Sequence, residues 1–324
     1  MHKRLFKTYE FYLALLLGVF VLFIGLNNPA FFSVGTLFDV IRSQSVYILL
    51  ALGLLPVIIL GGVDISFVAI GALASYPVHI FLLSRGYEGG IFIYYVAAIF
   101  IGLSAGTLIG WLISTFKIGI FDLSLGMNAM IYGFIHFFVG SYESMRISPG
   151  VVGWNTKWLI SVQSVVGLSG LHISFLIIVF VALAMHLFLS YTTLGRAIYA
   201  MGSDKSVAIR TGFNTKKVYL IVFPLMGLLA GLAGLTFSAL ETTFKPYLFM
   251  GKNMQVLAAV IMGGASIKGG KGTVIGTILG VMLVGVINQS LVYLKIPTAW
   301  MDAFVGTTFI AFAVYQTLET RTNK

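Results

Sequence analysis

Two stretches of twenty residues, 172–191 and 218–237, contain no Asp, Glu, Lys or Arg. At 1.5 Å rise per residue, a helix of that length crosses the roughly 30 Å hydrocarbon core of a bilayer. Runs of similar character recur along the chain. Of its residues, 59% are hydrophobic and only 9% charged, more apolar surface than a soluble domain can hide. The chain reads as an all-α integral membrane protein. Apolar runs and their breakers divide it into ten expected spans: 9–27, 46–60, 67–84, 91–114, 121–140, 172–190, 218–237, 253–267, 273–293 and 299–316. The basic start, Met1 to Lys7, and the apolar stretch after it lack a small-residue cleavage site, so 9–27 reads as a retained first span. No polar stretch looks able to fold alone, and residues 1–324 read as one domain.

The two stretches flank the interval Thr193 to Lys217. It holds Arg196, Lys205, Arg210, Lys216 and Lys217 against one acid, Asp204. Such an excess marks the cytoplasmic side of a membrane. With an even number of spans both termini lie on that side too, and the assignment collects thirteen of the twenty bases there. The net charge of +10 is therefore read as orientation in a membrane rather than as affinity for nucleic acid. The absence of cysteine excludes disulfides, thiolate metal sites and thiol catalysis. Within the interval, Asp204 is placed to cap a short helix running through Val207, Ala208 and Arg210, and Gly212 to end it. The plain alternative is an ordinary basic loop.

Thr193, Leu194, Gly195, Arg196, Tyr199, Ala200, Gly202, Ala208 and Gly212 together resemble the cytoplasmic loop of the permease subunits of ATP-binding-cassette importers for simple sugars, the ribose-type branch. Two departures stand out: Asp204 where that family usually has Asn, and Lys205, Ser206, Val207, Ala208 in place of a Glu-Ala-Ala run. Gly61-Gly62-Val63-Asp64-Ile65-Ser66 is similar to the family's Gly-Gly-Ile-Asp-Leu-Ser. Agreement returns at Ala258, Ala259, Gly263, Gly264, Ser266, Gly269, Gly270, Gly272, Gly276 and Gly280.

The resemblance implies a type II importer-like permease fold in the bacterial inner membrane. It implies separate ATPase subunits that bind ATP and magnesium, leaving this chain without a cofactor of its own. It also implies a second permease subunit, identical or related, and a periplasmic or lipid-anchored binding protein. By the same analogy Gly195, Arg196, Asp204, Val207, Ala208 and Gly212 couple the permease to the ATPase, the helix fitting a cleft there. Ion-coupled secondary transport is the alternative from another class, and an intramembrane enzyme is the weakest reading, since no catalytic grouping is visible.

Short spans at 46–60 and 253–267, each running into glycines, suggest helices that break inside the protein. The phrases at Val57–Ser66 and Ala259–Gly270 share a word that an internal duplication would leave. Gly61, Gly62, Asp64 and Ser66, with Asn128 in the fifth span, are assigned to the break and the translocation path. A structural cap with no contact to substrate is the alternative. Gly263, Gly264, Ser266, Gly269, Gly270 and Gly272 form a glycine turn. It is no phosphate-binding loop: that pattern needs glycine at 265 and a hydroxyl at 272, where the chain has Ala265 and Gly272. Instead Gly272, Gly276 and Gly280 are expected to form a small-residue packing face. Asp122, Glu241 and Asp302 fall near span ends, which argues against ion coupling. The histidines show no i, i+4 pair for a metal.

Overall fold

The structure, a computed structural model, describes residues 9–164, 167–293, 297, 300, 303–310 and 314. In chain order its helices are α1 (Tyr9–Asn27), α2 (Val34–Ile59), α3 (Phe67–Ser84), α4 (Phe92–Phe116), α5 (Ile120–Phe134), α6 (Pro149–Asn155), α7 (Ser174–Tyr191), α8 (Thr193–Ser203), α9 (Lys205–Arg210), α10 (Thr215–Leu240), α11 (Asn253–Met262) and α12 (Val274–Tyr293). A π-helical turn, Ile135–Val139, prolongs α5. Strands β1 (Trp158–Ser164) and β2 (Gly167–His172) form one antiparallel hairpin between α6 and α7.

Eight of these helices, α1 to α5, α7, α10 and α12, are long and apolar enough to cross a bilayer, α5 counted with its π turn. The expected ninth span, 253–267, is the ten-residue α11, half a crossing, as a broken helix would be. Of the expected tenth, 299–316, residues 303–310 are helical and most of the rest lies outside the described residues, as does Asp302.

The expectation of a short second span needs correction. Helix α2 does not begin at 46; it starts at Val34, where the Ser33 hydroxyl accepts the Thr36 N–H at 3.2 Å, and runs for 26 residues. Asp39, Arg42, Ser43, Gln44 and Ser45 made its first half look unlike a span. Partners from the hairpin region satisfy two of them. Ser169 donates its hydroxyl to Asp39, and Arg42 donates to Asn155 Oδ1 at 2.8 Å. The hairpin thus docks on α2, as it must, because two strands alone are marginal in water.

The second half of α2 is the centre of the molecule: Leu49, Leu52, Leu54, Leu55, Val57, Ile58 and Ile59 are wholly buried. Helices α10 and α12 pack against it, and α3 and α4 pack in turn on α10 through glycine. A β-carbon on Gly106 would collide with the Phe223 carbonyl, one on Gly102 with the Gly227 carbonyl, and one on Gly234 with the Gly71 carbonyl. Lipid supplies no hydrophobic drive for helices to associate, so close backbone approach of this kind carries the packing.

The connections between helices sort into two sets. At one end Ser144 and Phe244 exchange backbone hydrogen bonds, Gly90 bridges to Gly150, and Asn28 Nδ2 donates to the Tyr293 carbonyl. At the other, the Tyr9 hydroxyl donates to the Met262 carbonyl at 2.8 Å and Thr273 to Glu10 at 3.0 Å. Segments 28–33, 85–91, 140–173 and 241–252 share the first end. Segments 60–66, 117–119, 192–214 and 263–273 share the second. Alternate spans therefore run in opposite senses, as the sequence required.

The α4–α10 contact is the test of this packing. Gly106→Leu should cost at least about 1–3 kcal/mol through overpacking and lower both membrane abundance and the thermal midpoint of the purified protein. Wild-type abundance and midpoint would contradict the backbone contact.

Candidate functional site

The interval Thr193–Lys217 is folded almost throughout. Thr192 accepts the Gly195 N–H on its hydroxyl at 2.9 Å and starts α8. Gly195 lies where α8 turns back on α7; a β-carbon there would meet the carbonyls of Phe188 and Leu189. Ala197, Ile198 and Met201 turn inward while Arg196 stays exposed. Helix α8 was not foreseen, although Thr192 and this apolar spacing were available as signals.

Asp204 ends α8 and starts α9. Its Oδ1 accepts the Ser206 hydroxyl at 2.7 Å and the N–H groups of Ser206 and Val207 at 2.8 and 3.1 Å. These bonds, the Ser206 hydroxyl first, hold its carboxyl below the usual range. The helix closes as expected at Gly212, whose φ is +89°. Gly212 donates to the Ile209 carbonyl and Phe213 to the Ala208 carbonyl, the paired pattern of a Schellman end. Val207 and Ile209 are 50% and 54% exposed, whereas Ala208 is 0% exposed. Ala208, expected with Val207 on the docking face, packs within this chain's own core, and the outward apolar pair is Val207 and Ile209.

The second motif ends α2. Gly61 has φ +80°, and with Gly62 it closes the helix: Gly61 donates to the Ile58 carbonyl and Gly62 to the Val57 carbonyl. A β-carbon on Gly62 would meet the flexible tip of the Ile120 side chain, so it is Gly61, with its positive φ, that the turn requires. In the connection that follows, outside both spanning helices, Asp64 Oδ1 accepts the Ser66 N–H and hydroxyl at 2.6 and 2.7 Å. Its other oxygen is buried without a hydrogen-bond partner. Burial pushes the Asp64 carboxyl up to about 6, against the bonds from Ser66. Ser124 of α5 accepts the Ile65 N–H at 3.2 Å. Asn128 stands about one turn further along α5 with its buried Oδ1 unbonded, and no hydrogen bond joins it to this group.

The third motif links α11 to α12. Gly263 and Gly276 pack backbone to backbone, and Gly280 lies against the Ala259 carbonyl. Gly272 stands before α12 rather than on it, so the expected small-residue face consists of Gly276 and Gly280. Gly264, Gly269 and Gly270 have φ of +91°, +87° and +73°. Ser266 donates its N–H to the Lys271 carbonyl and accepts that of Gly269 on its own carbonyl. The turn follows a helix, α11, and not the strand that a phosphate-binding loop requires.

These three motifs, far apart in sequence, meet. Gly270 donates its N–H to the Ile59 carbonyl at 2.8 Å. A β-carbon on Gly202 would collide with that same carbonyl, and one on Gly269 would lie 2.5 Å from the Gly202 carbonyl and 2.9 Å from the Gly61 nitrogen. The Tyr199 hydroxyl donates to the Gly272 carbonyl at 2.7 Å. The end of α8, the end of α2 and the glycine turn thus touch through bare backbone. Such a junction can transmit displacement between a surface helix and three helices of the bundle. Among the described residues no group of three or more His, Asp or Glu could hold a metal.

The family model described as branched-chain amino acid transport system / permease component matches residues 36–313. The chain belongs to this permease family. Ribose import permease protein RbsC of Escherichia coli (strain K12) is 28% identical over 300 residues, 91% of this chain and 89% of that one. Autoinducer 2 import system permease protein LsrC of Escherichia coli O157:H7 is 30% identical over 302 residues, 93% and 85% of the two chains. LsrC of Yersinia enterocolitica serotype O:8 is 28% identical over the same length, 93% and 81%. No solved structure matches the chain. These relatives support the importer-permease reading and not the ion-coupled alternative, and the permease is a multi-pass membrane protein.

The permease's buried carboxyl gives a signed prediction. Because folding raises the Asp64 pKa, its contribution to stability is fully present below the ordinary carboxylate range and is lost as pH rises through about 6. Asp64→Asn keeps an acceptor for Ser66 and removes the ionisation. Between pH 4 and pH 7 the wild-type permease should lose stability relative to Asp64→Asn by an amount on the order of 2–3 kcal/mol, seen as a falling thermal midpoint. Parallel pH profiles would contradict it.

Proposed function

We propose that this permease is the membrane-spanning subunit of an ATP-driven importer for a simple sugar or sugar-like solute in the bacterial inner membrane. Residues 1–324 act as one domain, with both termini and the α8–α9 pair in the cytoplasm. ATP and magnesium are bound by separate cassette ATPase subunits, and this chain performs no catalysis. A periplasmic or lipid-anchored binding protein delivers the solute to a pair of permease subunits, identical or paralogous. The relatives named for ribose and autoinducer 2 support a sugar-like solute, being matched over nine-tenths of this chain.

The observation that carries the coupling role is the exposed pair Val207 and Ile209 on a short helix fixed at both ends. Two exposed apolar side chains on a short helix whose other exposed residues are Lys, Ser and Arg suit a contact with another protein. Asp204 and Gly212 hold α9 rigid, and Gly195 and Arg196 belong to α8, which carries α9 to the junction. When the ATPase subunits close on ATP, α9 moves with them. Gly202, having no side chain to yield, passes that movement to the end of α2 and to the glycine turn. Gly61, Gly62, Asp64 and Ser66 keep the α2–α3 connection in register with it. Gly263, Gly264, Ser266, Gly269, Gly270 and Gly272 do the same for α11 and α12. Asn128 lies on the path through its unbonded amide oxygen.

Val207→Glu tests this reading. An unpaired charge buried in the contact costs several kcal/mol, and each 1.4 kcal/mol or so is tenfold in affinity. The variant should insert at normal abundance, lose the ATPase subunit in pull-down and lose transport by at least about tenfold. Ala208→Glu should instead reduce abundance, since Ala208 is internal. Transport at the wild-type rate by Val207→Glu would overturn the coupling role.

A further inference from the structure

At the end of the molecule opposite the glycine junction, the first half of α2 and the end of α10 border an open cavity of about 520 Å³, lined chiefly by Asp39, Arg42, Ser43, Tyr47, Phe237 and Glu241. Its size suits a small solute. One wall is aromatic: Tyr47 and Phe237 both pack on Phe249, with ring centres 6.4 and 5.1 Å away. The other wall is polar and partly fixed. Ser169 donates its hydroxyl to both Asp39 oxygens at 2.9 Å. Arg42 uses Nη2 for Asn155 Oδ1 at 2.8 Å and the Leu240 carbonyl at 3.3 Å, and its guanidinium lies 4.9 Å over the Trp158 ring. Among the described residues its other N–H donors carry no bond, and neither the Tyr47 hydroxyl nor the Glu241 carboxylate has a hydrogen-bond partner.

We propose that this cavity binds a neutral polyhydroxylated small molecule as it enters the permease from the side of the hairpin. The proposal rests on the importer reading and names where the solute is first held. The lining carries two carboxylates against one guanidinium, which disfavours an anion. A zwitterionic amino acid would bring its own carboxylate beside Asp39 and Glu241, with only the part of the Arg42 guanidinium not held by Asn155 and Leu240 to offset that repulsion. A simple cation would meet Arg42. A polyol avoids all three conflicts. Its hydroxyls donate to Glu241 and accept from the free N–H groups of Arg42 and the Tyr47 hydroxyl, while a C–H face lies on Tyr47 and Phe237. The loose end of each hydrogen-bonding group on the polar wall is what such a ligand completes.

The test uses the permease with its ATPase subunits in nanodiscs, without the binding protein. Saturation-transfer NMR is recorded with D-ribose, D-xylose, D-glucose and L-leucine. At least one sugar should give a saturable signal. Glu241→Gln and Tyr47→Phe, both close in shape to the native residues, should each weaken it about tenfold or more at normal abundance. Lys245→Ala, whose partner is Glu143 at 3.4 Å outside the cavity, should leave it unchanged. Displacement of the sugar by L-leucine, or a sugar signal indifferent to both substitutions, would overturn the proposal. So would the absence of any sugar signal from a complex that imports a sugar into vesicles, a result that leaves the importer reading standing. A complex that imports no sugar even with its binding protein would overturn both.

Discussion

Everything at the end of this permease that carries α8 and α9 depends on one steric condition: no β-carbon fits between Gly202 and the carbonyl of Ile59. That carbonyl is at the end of α2, where no further turn of helix can use it, and the Gly270 N–H takes it instead. The glycine turn is therefore both a packing partner and the cap of the central helix. A side chain at Gly202 would separate α8 from α2 and remove the turn from its acceptor together. In a membrane, where unpaired backbone groups are costly and helices gain little from hydrophobic association, this kind of contact does much of what a buried apolar core does in water.

The opposite end is built on the reverse logic. There the first half of α2 presents acids, a base and hydroxyls, and the hairpin and α6 supply their partners. The contacts at one end of α2 are thus largely between backbones, and the other end is polar with open hydrogen-bonding capacity. In the proposed transport cycle a single helix joins the place where force enters to the place where solute enters. Because α2 is buried along most of its length, it cannot bend into lipid to absorb displacement.

The membrane class, the alternation of the connections and the ends of α9 were legible from local signals: twenty-residue apolar runs, Asp204 as a cap and Gly212 as a stop. What escaped was set by contacts distant in sequence. The start of α2 at Val34 was hidden because Asp39 and Arg42 are tolerated only through Ser169 and Asn155, over a hundred residues away. Which face of the six-residue α9 turns inward depends on tertiary packing, so Ala208 could not be separated from Val207 in advance. Gly62 was read with Gly61 as part of a turn, but it is Gly61 whose backbone the turn requires. The meeting of residues 61, 202 and 270 is invisible in sequence, although each glycine stood in a recognisable motif.

On the proposed function, α8, the end of α2 and the glycine turn move together as one body when ATP is bound. The chain has no cysteine, and Ser203 and Lys268 are both exposed on either side of the junction, so a pair of cysteine-linked spin labels can be placed there cleanly. Dipolar broadening of their electron paramagnetic resonance spectrum, recorded on the complex with its ATPase subunits, reads the separation directly. If the junction moves as one body, the broadening is the same in the nucleotide-free and ATP-bound complexes. Loss of the broadening on ATP binding would mean that the junction opens during the cycle and would contradict it.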